Sequence, residues 1–360
     1  MFAQRLKTVL VRNLCFCFRR LRFRRRILLL LTSFAVASGA FALAMRNFSG
    51  PSVSVRETRV GGKRYGPRKA CEPSDRLNGR YDIVERLGSG QHSTVWLATD
   101  TSGHGVQVAI KVLTNEVTAL QGTVAYELDV LQRIRKASQS SVEVAGFKQV
   151  LQLVDHFRVN GQYGDHLCLV TKVLGQDLLS VQRGYPGRRI PVPLVKHIAR
   201  HMLRALAFVH DTCHVVHTGQ FVMDIKQDNI LFDTYGICAP DLVAADVVLA
   251  DFDTAVPEDG DHQRLIQPEA LRSPEVILGC SWGVKADIWN MGCLIFELLT
   301  GNPLFSRKPA RTSTGESTPE QGHFAAIYAI LGQGEDFTKL IQFFYSGSNF
   351  HEFFDIQGKR

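Results

Sequence analysis

"VVHTGQFVMDIKQDNILFD", residues 215–233, sets an acid, a cation and a carboxamide at close spacing: Asp224, Lys226 and Asn229. Moving a phosphoryl group onto a hydroxyl requires an acceptor for the hydroxyl proton, a cation against the γ-phosphate and a neutral oxygen ligand for Mg2+. The pattern DxKxxN supplies all three. Downstream, the apolar run "VVLA" ends in Asp251, 22 residues after Asn229. A carboxylate there can bridge Mg2+ to the β- and γ-phosphates, because hard oxygen donors suit that ion. Upstream, "VVHT" reads as a strand end leading into the acid, yet five residues, Gly219 to Met223, stand between them. The rest of the chain must show whether this is a working site or one disabled by that wedge.

The preceding residues hold matching parts. "YDIVERLGSGQHSTVWLATD" (81–100) alternates apolar residues on either side of a glycine-rich turn, the pattern of a β-hairpin. Gly88, Ser89 and Gly90 can lay backbone over phosphates, since glycine has no Cβ to block the approach. Taken alone, the same residues also read as a plain hairpin turn. Val95, just beyond, can cover an adenine ring. "VQVAIKVL" (106–113) is a third strand with Lys111 at its centre. A lysine in an apolar strand is costly to bury without a partner. Glu127 can supply one from an amphipathic helix predicted over 122–137, with Val124, Leu128, Leu131 and Ile134 on its apolar face. An edge-strand lysine facing water is the competing reading; Val108, Ile110 and Val112 on the same strand argue against it. Residues 147–159 and 166–174 read as two more strands.

After "GQDLL" the pattern turns helical. "PLVKHIARHMLRALAFVHD" (193–211) places Val195, Ile198, Met202, Leu206 and Val209 on one face, and "VKADIWNMGCLIFELLTG" (284–301) is strongly apolar with Gly301 as its C-cap. The expected fold class is therefore α+β and bilobal. A small antiparallel-sheet lobe (81–174) precedes a mainly helical lobe (175–360), with a cleft near Leu174 to Leu178. His197, His201 and His210 share a helix, but no acid supports them, so a solvated or capped helix is expected rather than a metal site. Trp289 and Phe296 read as core, and "FHEFFDI" as packing on the larger lobe.

Charge divides the 360 residues. Residues 1–70 hold sixteen Lys and Arg against one acid, Glu57, a balance of +15. With +8 for the whole chain, the remainder carries −7. The basic character thus belongs to the arm, and the body shows no basic stripe interleaved with aromatics, which excludes a nucleic-acid partner. Residues 1–46 form a basic arm with a hydrophobic segment, and 47–80 a linker. Ile27 to Met45 is uncharged for nineteen residues, about enough to span a bilayer. Membrane contact through 27–45, a mitochondrial-type presequence and a cytoplasmic location are the competing expectations. The eight cysteines form no CxxC pair and no zinc pattern, which favours reduced thiols.

Residues 81–305 resemble a eukaryotic-type Ser/Thr protein kinase, closest to the serine/arginine-protein kinase group. The lines that carry this are "GSGQHSTVWLATD", "VAIKVL", "VLGQDLL", "VKHIARHMLRALAFVHDTCHVVHT", "DIKQDNIL", "LADFDTA", "ALRSPEVILG" and "ADIWNMGCLIFELLTGNPLF". The resemblance implies ATP and Mg2+ as cofactors. It implies ATP contacts from Leu87, Gly88, Ser89, Gly90, Val95, Ala109 and Lys111, and a Lys111–Glu127 pair. Thr171 falls at the gatekeeper position, with Lys172 to Leu174 as the hinge. Asp224 is the implied base, Lys226 steadies the γ-phosphate, and Asn229 and Asp251 hold the metal.

Four departures stand out. If Asp224 keeps its place, Val222 takes the slot of the family's histidine and "HTGQ" bulges. Asp253 replaces the glycine of Asp-Phe-Gly, adding charge and restricting the backbone. The helical lobe is short, so Glu275 of "SPE" has no well-placed arginine. Arg307, Lys308 and Arg311 stand where acids would dock arginine-rich substrates, which leaves such substrates only weakly expected. The leading expectation is transfer of the γ-phosphate of ATP to Ser/Thr hydroxyls of a protein. A pseudokinase or nucleotide-binding scaffold is the alternative, and a non-folding product the third.

Overall fold

The computed structural model describes residues 75–103, 105–138, 144–161, 164–218, 226–238, 240–260, 262, 265–305, 311–312, 315–316, 318–331, 342 and 344–354. Residues 1–46, including the hydrophobic run 27–45, lie outside them, as do Gly219 to Met223, Asp224, Arg307 and Lys308. Among the described residues no helix is long and apolar enough to cross a membrane.

Six antiparallel strands form the first lobe: β1 (Arg76–Leu77), β2 (Tyr81–Ser89), β3 (Ser93–Asp100), β4 (Val106–Leu113), β5 (Leu153–Gly161) and β6 (Gly164–Lys172). Their order is β1-β2-β3-β4-β6-β5. Successive side chains on a strand face opposite sides. On β4 this sends Val108, Ile110 and Val112 into a buried layer with Tyr81, Ile83, Trp96 and Val170. Ala109 and Lys111 share the other face, toward the cleft. The sheet starts earlier than the expected linker end at residue 80. Leu77 is buried against that layer, and Arg80 is bonded to Asp100 at 2.6 Å.

The helix expected over 122–137 starts at Glu127 and runs to Ser138 as α2; before it stands a short α1 (Asn115–Ala119). Gly122 sits at φ +81 between them, a conformation a side chain would strain, and it breaks the helical path. Val124 is therefore off the predicted face, while Val130, Leu131 and Ile134 are buried.

The second lobe is built on α4 (Val192–Asp211), which follows α3 (Leu178–Arg183), and on α6 (Val284–Thr300), which follows α5 (Pro274–Ile277). The predicted stripe Val195, Ile198, Met202, Leu206 and Val209 is buried and meets Met291, Leu294 and Leu298 of α6. Gly301 ends α6 at φ +72, as its C-cap position predicts. Two small pairs sit at the cleft floor: β7 (Val215–Val216) with β10 (Val256–Pro257), and β8 (Ile230–Phe232) with β9 (Val247–Leu249). A second apolar cluster unites Trp289, Phe296 and Phe305 with Phe324 of α7 (Pro319–Leu331) and with Phe350, Phe353 and Phe354 at the end.

The histidines of α4 differ from expectation. All three are buried. His197 bonds the carbonyl of Ala245 at 2.7 Å, Nδ1 of His201 accepts the Val247 amide at 3.0 Å, and Nε2 of His210 reaches Asp287 at 2.7 Å. They pin the cleft-floor hairpin and α6 to α4. Sequence spacing along one helix cannot show that acids and amides from distant segments arrive as their partners.

Candidate active site

Lys111 is where the two lobes meet. Its Nζ lies 2.7 Å from Glu127 Oε1 on α2 and 2.7 Å from Asp251 Oδ1 of the second lobe. Burial opposes the lysine's charge, but Asp251, Glu127 and Asp253 more than offset this and hold its pKa above the ordinary lysine value. Asp251 is pushed up by burial, and Lys111 outweighs that, so its pKa falls below the usual carboxylate range. Glu127 moves upward, first through burial and then through the charges of Asp251 and Asp253, which Lys111 only partly counters. Asp251 stands at φ +60, a left-handed conformation that costs energy in a residue with a Cβ and turns its carboxylate toward Lys111.

The glycine turn is open. Gly90 N donates to Ser93 O at 2.9 Å, and at both Gly88 and Gly90 a Cβ would meet nothing within 4 Å. Leu87, Ser89 and Gly90 are exposed. Beneath this turn Val95 packs with Leu97, Ala109 and Val173 as a separate small apolar cluster. Val173 belongs to the expected hinge, whereas Leu97 was not among the expected site residues; it was legible as the residue two beyond Val95 on the same strand face. Thr171 is buried at the end of β6, and exposed Lys172 pairs with Asp233. Leu174 is half-buried where the chain crosses between lobes.

His217 is held firmly against the cleft floor. Its ring is fully buried, packs edge-on against Phe252 with centroids 4.9 Å apart, and Nε2 bonds Ala250 O at 3.2 Å. Its backbone amide donates to Asp287 Oδ2 at 2.9 Å, and that of Thr218 to Asp287 Oδ1 at 2.8 Å. His217 and Thr218 are thus fixed to α6, while Gly219 and Gln220 of the expected bulge, and Val222, lie outside the described residues. Asp287 is the functional residue that sequence reasoning missed. The available signal was an acid in the first turn of an apolar helix, since a buried charge there must be paired.

Asp224 lies outside the described residues. Lys226, just after it, is 3.8 Å from Asp228, and its charge also lowers the pKa of Asp251. Asn229 is buried, and its carbonyl accepts Ala250 N at 2.9 Å, one residue before Asp251. Asp253 brings a correction: it does not occupy the left-handed region, so no strain follows from the missing glycine. Its Oδ1 is buried with no hydrogen-bond partner.

The donors fit Mg2+. Asn229 and Asp251 offer oxygens, the ligand type that ion prefers, and the acid surplus around Lys111 leaves Asp253 Oδ1 unsatisfied. Among the described residues no set of three or more His, Cys, Asp or Glu side chains is arranged to hold a metal. An ion here thus relies on mixed donors completed by phosphate or water.

A strand-rich lobe, a helical lobe and the Lys111 ion pairs at their junction are the architecture of a phosphotransferase cleft. The protein kinase domain model matches residues 81–342. Similar proteins include the serine/threonine-protein kinase SRPK of Physarum polycephalum, 27% identical over 87% of this chain and 78% of that protein. Others are the DYRK-family kinase pom1 of Schizosaccharomyces pombe, at 32% over 72% of this chain, and the serine/threonine-protein kinase AFC1 of Arabidopsis thaliana, at 30% over 64%. The chain spans 21% of pom1 and 50% of AFC1. It belongs to the protein kinase family.

Proposed function

We propose that this chain transfers the γ-phosphate of ATP to serine or threonine hydroxyls of a protein substrate. The observation that carries this is Lys111 held at 2.7 Å by both Glu127 and Asp251: strand, helix and second lobe are already in register for a triphosphate. Val95, Leu97, Ala109 and Val173 offer the apolar surface for adenine, and the open backbone at Gly88 to Gly90 reaches over the phosphates. Lys111 orients the α- and β-phosphates, and Lys226 offsets charge on the migrating group. Asp224 accepts the proton of the attacking hydroxyl. Asn229 and Asp251 would hold Mg2+, which supplies charge neutralisation at the β- and γ-oxygens when bound. Asp287, through the amides of His217 and Thr218, anchors the chain entering the Asp224 loop.

The test is phosphate incorporation into a generic Ser/Thr-containing basic protein with ATP and Mg2+. Asp224→Asn lowers the rate by about 10²–10⁴-fold, the usual contribution of a positioned base, while ATP-induced thermal stabilisation persists. Undiminished turnover in that variant removes Asp224 from the mechanism. ATP stabilisation without turnover in the wild type turns the reading into a nucleotide-binding scaffold. Residues 27–45 are proposed to contact a membrane, or the arm to direct import, and fractionation of cells expressing the full chain against one lacking 1–46 decides between them.

A further inference from the structure

Asp253 stands out among the acids of the cleft. Glu127 and Asp251 each bond Lys111, whereas Asp253 Oδ1 is buried with no hydrogen-bond partner among the described residues. Asp253 is close enough for Lys111, Glu127 and Asp251 to respond to its charge, and it also faces His92 of the glycine turn and His217. Phe252, between Asp251 and Asp253, is fully buried against His217. Three carboxylates thus share one ammonium, with Lys226 as the next cation. A negative surplus in a poorly hydrated place calls for a cation.

We propose that Asp253 is a third protein oxygen donor for the divalent ion, beside Asn229 and Asp251, and lets the chain hold that ion before nucleotide arrives. The inference rests on the phosphotransferase reading, because it assigns Asn229 and Asp251 to the same ion. Ligand charge is a main determinant of affinity at hard-cation sites. Two acids and an amide form a better site without phosphate than one acid and an amide. The added charge also strengthens competition with Lys111 for Asp251, so removing that ammonium should favour the ion.

The experiment is Mn2+ titration of the nucleotide-free full chain, read as loss of the free-ion paramagnetic resonance signal and as ion-induced thermal shift. Wild type binds Mn2+ saturably. Asp253→Asn, which keeps the shape, and Asp253→Gly each weaken it by about tenfold or more, on the scale reported for altered metal surroundings. Lys111→Met tightens it. All variants must show a cooperative melting transition without metal; Asp253→Ser replaces any that does not. Equal Mn2+ binding by wild type and both Asp253 variants, or no binding by the wild type, overturns the proposal. Adding ATP separates the two readings: Mn2+ retained with ATP in every variant keeps the nucleotide site while removing Asp253 from it, whereas no retention with ATP in the wild type defeats the phosphotransferase reading itself.

Discussion

The cluster around Lys111 and the network around Asp287 both bury carboxylates, and they settle the charge in opposite ways. Asp287 is fully buried and satisfied: it accepts from His210 Nε2 at 2.7 Å and from the amides of His217 and Thr218. Burial pushes its pKa up, but hydrogen bonding to His210 and the neighbouring donors pull it below the ordinary carboxylate value. Around it Asn290 donates to Thr218, and Gln267 Nε2 donates to Asn290 and to the Ala286 carbonyl. In the cleft, by contrast, Glu127 Oε2 and Asp253 Oδ1 are buried without partners. A carboxylate with both oxygens paired is held rigidly, and a cluster with surplus acceptors is ready for something to arrive. The difference separates scaffold from site.

The sharpest way to break this contrast is to neutralise one acid in each region. Asp287→Asn turns an acceptor toward donors and should cost about 3–5 kcal/mol, as for a broken buried pair. Glu127→Gln should cost less, because Asp251 still pairs with Lys111. Equal losses in denaturant unfolding would erase the distinction.

A smaller effect comes from His201. Burial, and then His197, lower its pKa to about 4 from 6.5, and its Nδ1 is engaged as an acceptor of the Val247 amide. As pH falls the unfolded chain takes the proton first. Stability is therefore whole above about 6.5 and declines toward pH 4, by at most about 1.4 kcal/mol per unit. His201→Asn should flatten that slope in melting curves taken across the range.

Glu275 sharpens the comparison within the second lobe itself. It is as buried as Asp287, yet its Oε2 has no partner and burial raises its pKa. Its raised value means the contribution favours low pH and is lost as pH climbs through it. Glu275→Gln should stabilise the protein near neutral pH by about 1 kcal/mol, since a neutral amide costs less to bury; a loss of stability would show that the charge is wanted there. The smallest change is expected at the lobe junction. Tyr235 donates to Gln107 Oε1 at 2.8 Å beside the Lys172–Asp233 pair. Tyr235→Phe should cost about 0.5–1.5 kcal/mol, with a higher KM for ATP as the lobes loosen.

Much of the site was readable because its chemistry lies in local patterns. The strand β4 with one lysine, the DxKxxN spacing and the acid closing "VVLA" are short-range features, and period-2 and period-3.6 patterning located β2 to β4, α4 and α6. Misreadings arose both locally, at a glycine and a short strand pair, and where distant segments decide. Gly122 broke the predicted helix, Arg76 and Leu77 joined the sheet, and the α4 histidines found partners some 40 to 80 residues away.

From sequence alone came the two lobes, the order of the parts and the pairing of Lys111 with Glu127. Those follow from residue type and spacing, which act over a few bonds. Tertiary structure decided which acids end up paired and which do not. It packed His217 against Phe252, gave Asp287 three donors and, among the described residues, left one oxygen each of Asp253 and Glu275 without a hydrogen-bond partner. A carboxylate's state depends on what surrounds it once water has been removed, and only the folded chain sets those surroundings.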